Sequence, residues 1–171
     1  REYMDQQDTP LEKGYLLRIG IDHFKEINDN FGQEYGDFVL RKTADCISGC
    51  ISEAQKVYKL VADEFLILDV SSDQVRDADK LYDKVREAID RFIETNEFKV
   101  MYTVSGGIVP FAALKGNQYS EALKLTDFAL NEAKKLGRNR CYIFNGETYR
   151  KFLRKREITQ ELREAVINGF Q

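Results

Sequence analysis

Two β-rich segments, Lys56 to Leu60 and Glu64 to Val70, are separated by only Val61-Ala62-Asp63. A connection this short can join only antiparallel neighbours, so a hairpin is imposed here whatever the rest of the chain does. A two-residue hairpin turn favours glycine or asparagine because φ must be positive, and Val61 and Ala62 both resist that, which predicts a distorted turn. The hairpin also places Asp63 and Glu64 at the junction of two apolar runs. Local pattern alone leaves them open as an exposed hairpin tip or as functional carboxylates.

Around the hairpin, strand and helix signals alternate. Tyr15-Leu16-Leu17-Arg18-Ile19-Gly20-Ile21 reads as a strand, and its apolar density predicts a central position in a sheet. From Gln33 to about Ser52, Gly36, Leu40, Ala44, Ile47 and Ile51 recur at helical steps. A second helix is predicted from about Gln74 to Thr95, with Ala78, Leu81, Val85, Ile89 and Phe92 as its buried stripe. Lys99 to Val109 reads as a strand closed by Pro110, and Ala113 to Gln118 as a linker. A helix follows from about Ser120 to Leu136, with Gly137 suited to a left-handed C-cap, and Arg140 to Phe144 reads as the last strand. The order is strand, helix, hairpin, helix, strand, helix, strand. It predicts an α/β (α+β) sandwich with a central mixed sheet flanked by helices, and excludes a doubly wound parallel sheet. We expect residues 1–146 to form one domain. Residues 147–171 then form a charged helix whose Ile158, Leu162 and Val166, at i, i+4 and i+8, want a partner.

Composition narrows the function classes. The net charge of −3 gives no overall positive field for nucleic acid or anionic membrane. Arg150, Lys151, Arg154, Lys155 and Arg156 are interleaved with Phe152 and Leu153, as on a solvated helix face. No stretch approaches the ~20 apolar residues of a membrane span. The three cysteines, Cys46, Cys50 and Cys141, are an odd number that argues against an oxidising compartment, so the cytoplasm is expected. Cys46 and Cys50 stand four apart on a predicted helix, but with His23 as the one histidine the zinc ligand set is thin, and buried packing is the simpler reading.

Three polar stretches bear chemistry. GIDHFKEINDNFGQEYGD (20 to 37) follows a strand, where an α/β sheet usually places its ligand crevice. Asp22, Asn28, Asp29 and Asp37 there suit metal or base contacts, or equally turns and helix caps; Gly32 and Gly36 permit tight turns. The second stretch is KLVADEFLIL. The third, NEAKKLGRNR (131 to 140), sets Lys134 and Arg138 one helical turn apart on one face, able to grip a polyphosphate or simply to cap a helix end.

In this order the stretches resemble the GGDEF family, the diguanylate cyclases that join two GTP molecules into cyclic di-GMP. FKEINDNFGQEYGD matches the pattern FKxINDxxGHxxGD almost position by position, with Gln33 in place of the motif's histidine. VADEF occupies the GGDEF slot, TVSGGIV resembles the strand ending in SxGI, and AKKLGRNR matches AKxxGRN. The resemblance implies the nucleotidyl-cyclase palm fold. It also implies that Asn28 and Asp37 bond guanine, Leu40 lines the base pocket, and His23 and Phe24 offer backbone amides to phosphates. Lys134 and Arg138 would grip the triphosphate, and Asp63 and Glu64 would be the catalytic signature. The closing KREITQELREAVINGFQ resembles the helix that joins such domains to an EAL phosphodiesterase domain. The implied context is therefore a larger cytoplasmic or membrane-associated protein with GTP, an EAL domain and a second copy as partners.

The chain departs from that pattern where the chemistry is done. The family holds Mg²⁺ through an acid on the first strand, the next backbone carbonyl and the hairpin acid. Here the first position is Gly20, leaving the Ile21 carbonyl and Asp63 one hard oxygen short. Asp22 is expected to turn to the opposite face. Val61 and Ala62 add side chains where glycines let the backbone approach the nucleotide. The inhibitory RxxD motif, expected at Ser52 to Gln55, reads SEAQ. The resemblance thus implies a degenerate domain that binds GTP, with weakened Mg²⁺, or a partner, and regulates an attached phosphodiesterase. The alternatives are an active cyclase and a nucleotide-free dimerisation module.

Overall fold

The computed structural model describes residues 13–72, 74–95, 100–115 and 119–169. Five strands, β1 Tyr15–Ile21, β2 Gln55–Lys59, β3 Glu64–Asp69, β4 Val104–Pro110 and β5 Cys141–Ile143, form one sheet in the order β2-β3-β1-β4-β5. β1 lies at the centre, antiparallel to both neighbours, and β5 alone runs parallel to its partner β4. The apolar strand is central because both of its faces are covered. Tyr15, Leu17, Ile19 and Ile21 face one core and Leu16 the other.

The first face packs against α2, Gln33–Cys50, and α3, Val75–Thr95, through Val39, Ile47, Leu81, Val85, Ile89 and Ile93. The second packs against α4, Tyr119–Lys135, through Ala122, Leu125 and Ala129. The result is the mixed-sheet sandwich expected from the element order. Closest approach occurs at Gly107, where an added Cβ would meet the Ala129 carbonyl carbon at 2.8 Å and the Ala129 Cβ at 2.9 Å, and would run into the Leu130 amide nitrogen. Strand and helix backbones touch there because neither side carries bulk.

Two expectations need correction. A helix, α1 Phe24–Phe31, occupies the stretch read as turns and loop. Its Phe24, Ile27 and Phe31 recur at i, i+3 and i+7, a stripe outweighed in the sequence reading by the Asp and Asn residues that also suit turns and caps. The fourth strand begins at Val104; Val100 to Thr103 are outside its ladder, and the expected start at Lys99 falls outside the described residues. The end of the linker reading, residues 116–118, does so too, while Phe111–Ala113 form a 3₁₀ turn.

The last helix, α5 Gly146–Gly169, is fastened at its start. Tyr149 and Phe152 pack edge-on or tilted against Phe128 of α4, at centroid distances of 4.9 and 5.2 Å. Beyond that clamp Ile158, Leu162 and Val166 are exposed. No helix among the described residues is long and apolar enough to cross a membrane. Cys46 and Cys50 lie against α3, their thiols donating to the Ala88 and Lys84 carbonyls. Burial pushes both thiols up from the ordinary cysteine range.

Candidate functional site

The candidate site lies where the chain leaves β1. His23 holds a left-handed φ of 57° and starts α1 without a side-chain cap; its Nδ1 lies 2.7 Å from Glu26 Oε1. The amides of His23 and Phe24 have no hydrogen-bond partner among the described residues, whereas the neighbouring Asp22 amide is taken by the Thr103 carbonyl at 2.8 Å. Two open N–H groups at a helix N-terminus are suited to an anion.

Across α1, Asn28 meets the start of α2. A Cβ at Gly36 would collide with Asn28 Oδ1, so glycine is what lets the amide lie against that turn. Asn28 Oδ1 is buried and has no hydrogen-bond partner among the described residues, and an orphaned acceptor of this kind costs stability unless something completes it. Asp37 is exposed one residue further on, and Leu40 is half-buried against the first core. α1 thus sets Asn28 and Phe24 against Gly36, the residue before Asp37 in the first turn of α2.

The hairpin closes with Leu60 N donating to the Glu64 carbonyl at 2.9 Å, enclosing Val61, Ala62 and Asp63. Ala62 takes the positive φ, 57°, and Val61 is 85% exposed, which is the distorted turn expected from these residues. The Lys59 ammonium donates to the Ala62 and Leu60 carbonyls. Burial pulls its pKa down, an effect that Asp63 and Glu64 oppose. Because an alanine in the left-handed region is strained by about 1 kcal/mol, Ala62→Gly is expected to raise thermal stability by a few degrees in a melting experiment.

The two signature carboxylates have different fates. Asp63 has no side-chain partner among the described residues, and its carbonyl accepts the Ile21 amide at 3.2 Å. Glu64 is held by Arg18: Arg18 Nε donates to Glu64 Oε2 at 2.7 Å, and Nη2 donates to the same oxygen. Arg18 is in turn fixed by the Leu123 carbonyl at 3.2 Å and by Asp127 at 3.3 Å. With side chains only 13% and 18% exposed, Arg18 and Glu64 form a bound pair. Sequence reasoning missed Arg18. Its signal was a lone charge in the apolar run Tyr15–Ile21.

Asp22 is the main correction. Alternation was expected to send it to the face opposite Gly20, but positions two apart share a face, and both pair with β4 residues on the side that faces α4: Gly20 opposite Ser105, Asp22 beside Thr103. What removes Asp22 from metal duty is its bonding. It is 2% exposed and accepts from Thr103 Oγ1 and Ser105 Oγ, each at 2.7 Å, and from the Asn139 amide at 3.2 Å. It braces the sheet to the turn after α4. Asp22→Ala is expected to cost about 2–3 kcal/mol in denaturant unfolding, since it strands the buried Ser105 hydroxyl and the half-buried Thr103 hydroxyl.

The basic pair also differs from expectation. α4 ends in a Schellman cap, with Arg138 N donating to the Ala133 carbonyl at 3.2 Å and Gly137, φ 116°, donating to Lys134 at 3.4 Å. Arg138 therefore lies beyond the helix, at φ 60° in the turn, and does not share a helix face with Lys134. Lys134 lies beside β1. A Cβ placed on Gly20 would stand 3.2 Å from Lys134 Nζ and 3.1 Å from Leu130 Cδ2. The ammonium fills the space that an acidic side chain at position 20 would enter.

Tested against a Mg²⁺ centre, these residues do not fit. The candidate ligands reduce to the Ile21 carbonyl and Asp63, a cation lies beside the empty strand position, and the described residues contain no cluster of three or more metal-ligating side chains. A cleft of about 540 Å³ that borders the site is lined by Asp22, His23, Glu26, Asp90 and Glu94 among others. It omits Asn28, Asp37, Lys134 and Arg138, and its acidic rim is a poor host for phosphates.

Residues 1–140 match the family described as diguanylate cyclase, GGDEF domain. The chain is 28% identical over 152 residues to the cyclic di-GMP phosphodiesterase NbdA of Pseudomonas aeruginosa, covering 88% of this chain and 19% of NbdA. It is 29% identical over 129 residues to the diguanylate cyclase VdcA of Vibrio cholerae, covering 73% of this chain and 37% of VdcA. The chain thus spans well under half the length of either relative. In fold it is similar to the GGDEF domain of YfiN from P. aeruginosa, with a TM-score of 0.75 and 24% identity, covering 89% of this chain and 92% of that one. With the family matched over most of its length and the fold agreeing, this chain belongs to the GGDEF family, the domain of cyclic di-GMP signalling.

Proposed function

We propose that this chain is a regulatory GGDEF domain that binds GTP without converting it to cyclic di-GMP, and that it tunes an EAL phosphodiesterase domain in the same protein. The observation that carries this reading is the split between the two halves of the site. Toward the nucleotide, Asn28 Oδ1 is buried and neither it nor the His23 and Phe24 amides have a hydrogen-bond partner among the described residues. Toward the reaction, Gly20 replaces the family acid with Lys134 beside it, and Glu64 is bound by Arg18. In this reading guanine is met by Asn28 and Asp37 against Leu40, and the phosphates by the α1 N-terminus, Lys134 and Arg138. Asp63 and the Ile21 carbonyl are the remnant of the metal site. Residues 1–146 are the domain proper, and residues 147–171 lead toward the following domain. The similarity to NbdA, a phosphodiesterase of which this chain covers 19%, supports that placement.

Calorimetry with GTP tests the binding half. Micromolar to millimolar affinity is expected, weakened about tenfold or more by Asn28→Ala or Asp37→Ala, as for loss of a charge-assisted or buried hydrogen bond. A second reading is supported by the exposed Ile158, Leu162 and Val166 beyond the Phe128 clamp: an interaction module that pairs through α5. Absence of GTP binding, or affinity unmoved by either substitution, would favour it.

A further inference from the structure

The Lys134 ammonium lies 3.2 Å from the point where a side chain at Gly20 would begin. It belongs to the last turn of α4 and has no hydrogen-bond or ion-pair partner among the described residues. Its neighbour Lys135 is, by contrast, paired with Glu132 at 2.6 Å. The three atoms nearest to that point are Leu130 Cδ2 and the Nζ and Cε of Lys134. A divalent ion brought to the remaining oxygens, the Ile21 carbonyl and Asp63, would meet a fixed positive charge with no carboxylate between them. The open amides of His23 and Phe24 follow directly where β1 ends at Ile21. An ammonium has three rotatable donors and serves a phosphate as a point charge.

We infer that Lys134 takes over the role of a divalent cation, so that this site binds the polyphosphate of its nucleotide without Mg²⁺. The inference rests on the GTP-binding reading above, but it concerns the phosphates and not the base. The requirement is simple electrostatics: one side chain lost from the strand and one lysine left unpaired convert an anionic, metal-collecting position into a cationic one.

The test is titration calorimetry on the whole chain with two probes, GTP and inorganic triphosphate, each in excess Mg²⁺ and in EDTA. Both are expected to bind in EDTA at least as tightly as in Mg²⁺. Lys134→Ala and Lys134→Gln should each weaken both probes about tenfold or more in EDTA, a factor of ten in affinity being about 1.4 kcal/mol, while Lys134→Arg should retain much of the binding. Gly20→Asp should reverse the preference, pairing the ammonium and making binding about tenfold tighter with Mg²⁺ than without. Circular dichroism melts identify any variant that fails to fold. Loss of wild-type GTP binding in EDTA with retention in Mg²⁺ would overturn the inference and leave the GTP-binding reading intact. Triphosphate bound in EDTA through Lys134, with GTP no tighter than triphosphate, would support it and overturn the base-recognition reading. Binding of neither probe in either condition would overturn both.

Discussion

Purified protein supplied with GTP and either Mg²⁺ or Mn²⁺ is expected to form no cyclic di-GMP at rates within about a thousandfold of an ordinary cyclase. A metal ligand contributes several kcal/mol of transition-state stabilisation, and each ~1.4 kcal/mol is tenfold in rate. At Gly20 the ligand is missing and Lys134 Nζ stands beside that position, so an oxygen is lost next to a positive charge. Glu64 is also withdrawn, since Arg18 holds its Oε2 with two donors and Asp127 and the Leu123 carbonyl hold Arg18. Repairing one defect therefore should not restore turnover. Gly20→Asp alone is expected to stay inactive, because the Arg18 to Glu64 pair and the bulk of Val61 and Ala62 remain. Chromatographic detection of cyclic di-GMP from the wild-type chain at ordinary enzyme rates would refute the regulatory reading.

A large stability effect is expected at Gly107. Its added Cβ would lie 2.8 Å from the Ala129 carbonyl carbon and would overlap the Leu130 amide. These are backbone atoms of a helix that is fixed along its length by Ala122, Leu125 and Ala129 in the second core. No flexible side chain can swing aside, so α4 must lift from β4. Gly107→Ala is expected to cost about 3 kcal/mol or more, a fall in melting temperature of roughly 6–12 °C for a chain of this size. The same substitution at Gly49, where an added Cβ meets nothing within 4 Å, serves as the control and should change stability little. A melting temperature unchanged by Gly107→Ala would mean that strand and helix do not approach as closely as described. Because Lys134 is carried on the same helix, the destabilised variant is also expected to lose nucleotide affinity.

The sequence by itself determined the parts of this protein that depend on neighbours close in the chain. The three residues between two β-rich runs required a hairpin, the apolar density of Tyr15–Ile21 required a central strand, and Gly137 marked the end of α4. The missing acid at position 20 was legible too, since it is a matter of residue type in a recognisable pattern. Helix α1 was not read, although Phe24, Ile27 and Phe31 recur at i, i+3 and i+7, because eight residues dense in Asp and Asn equally suit a turn. Only the tertiary structure decided who meets whom across the sheet. Glu64 finds Arg18 from 46 positions away, and Asp22 finds Ser105 from 83. Lys134 arrives over Gly20 because α4 packs on that face of β1. These meetings follow from strand register and from the docking of a helix on a sheet, which are set by the summed burial of many distant side chains, so no local window of residues encodes them.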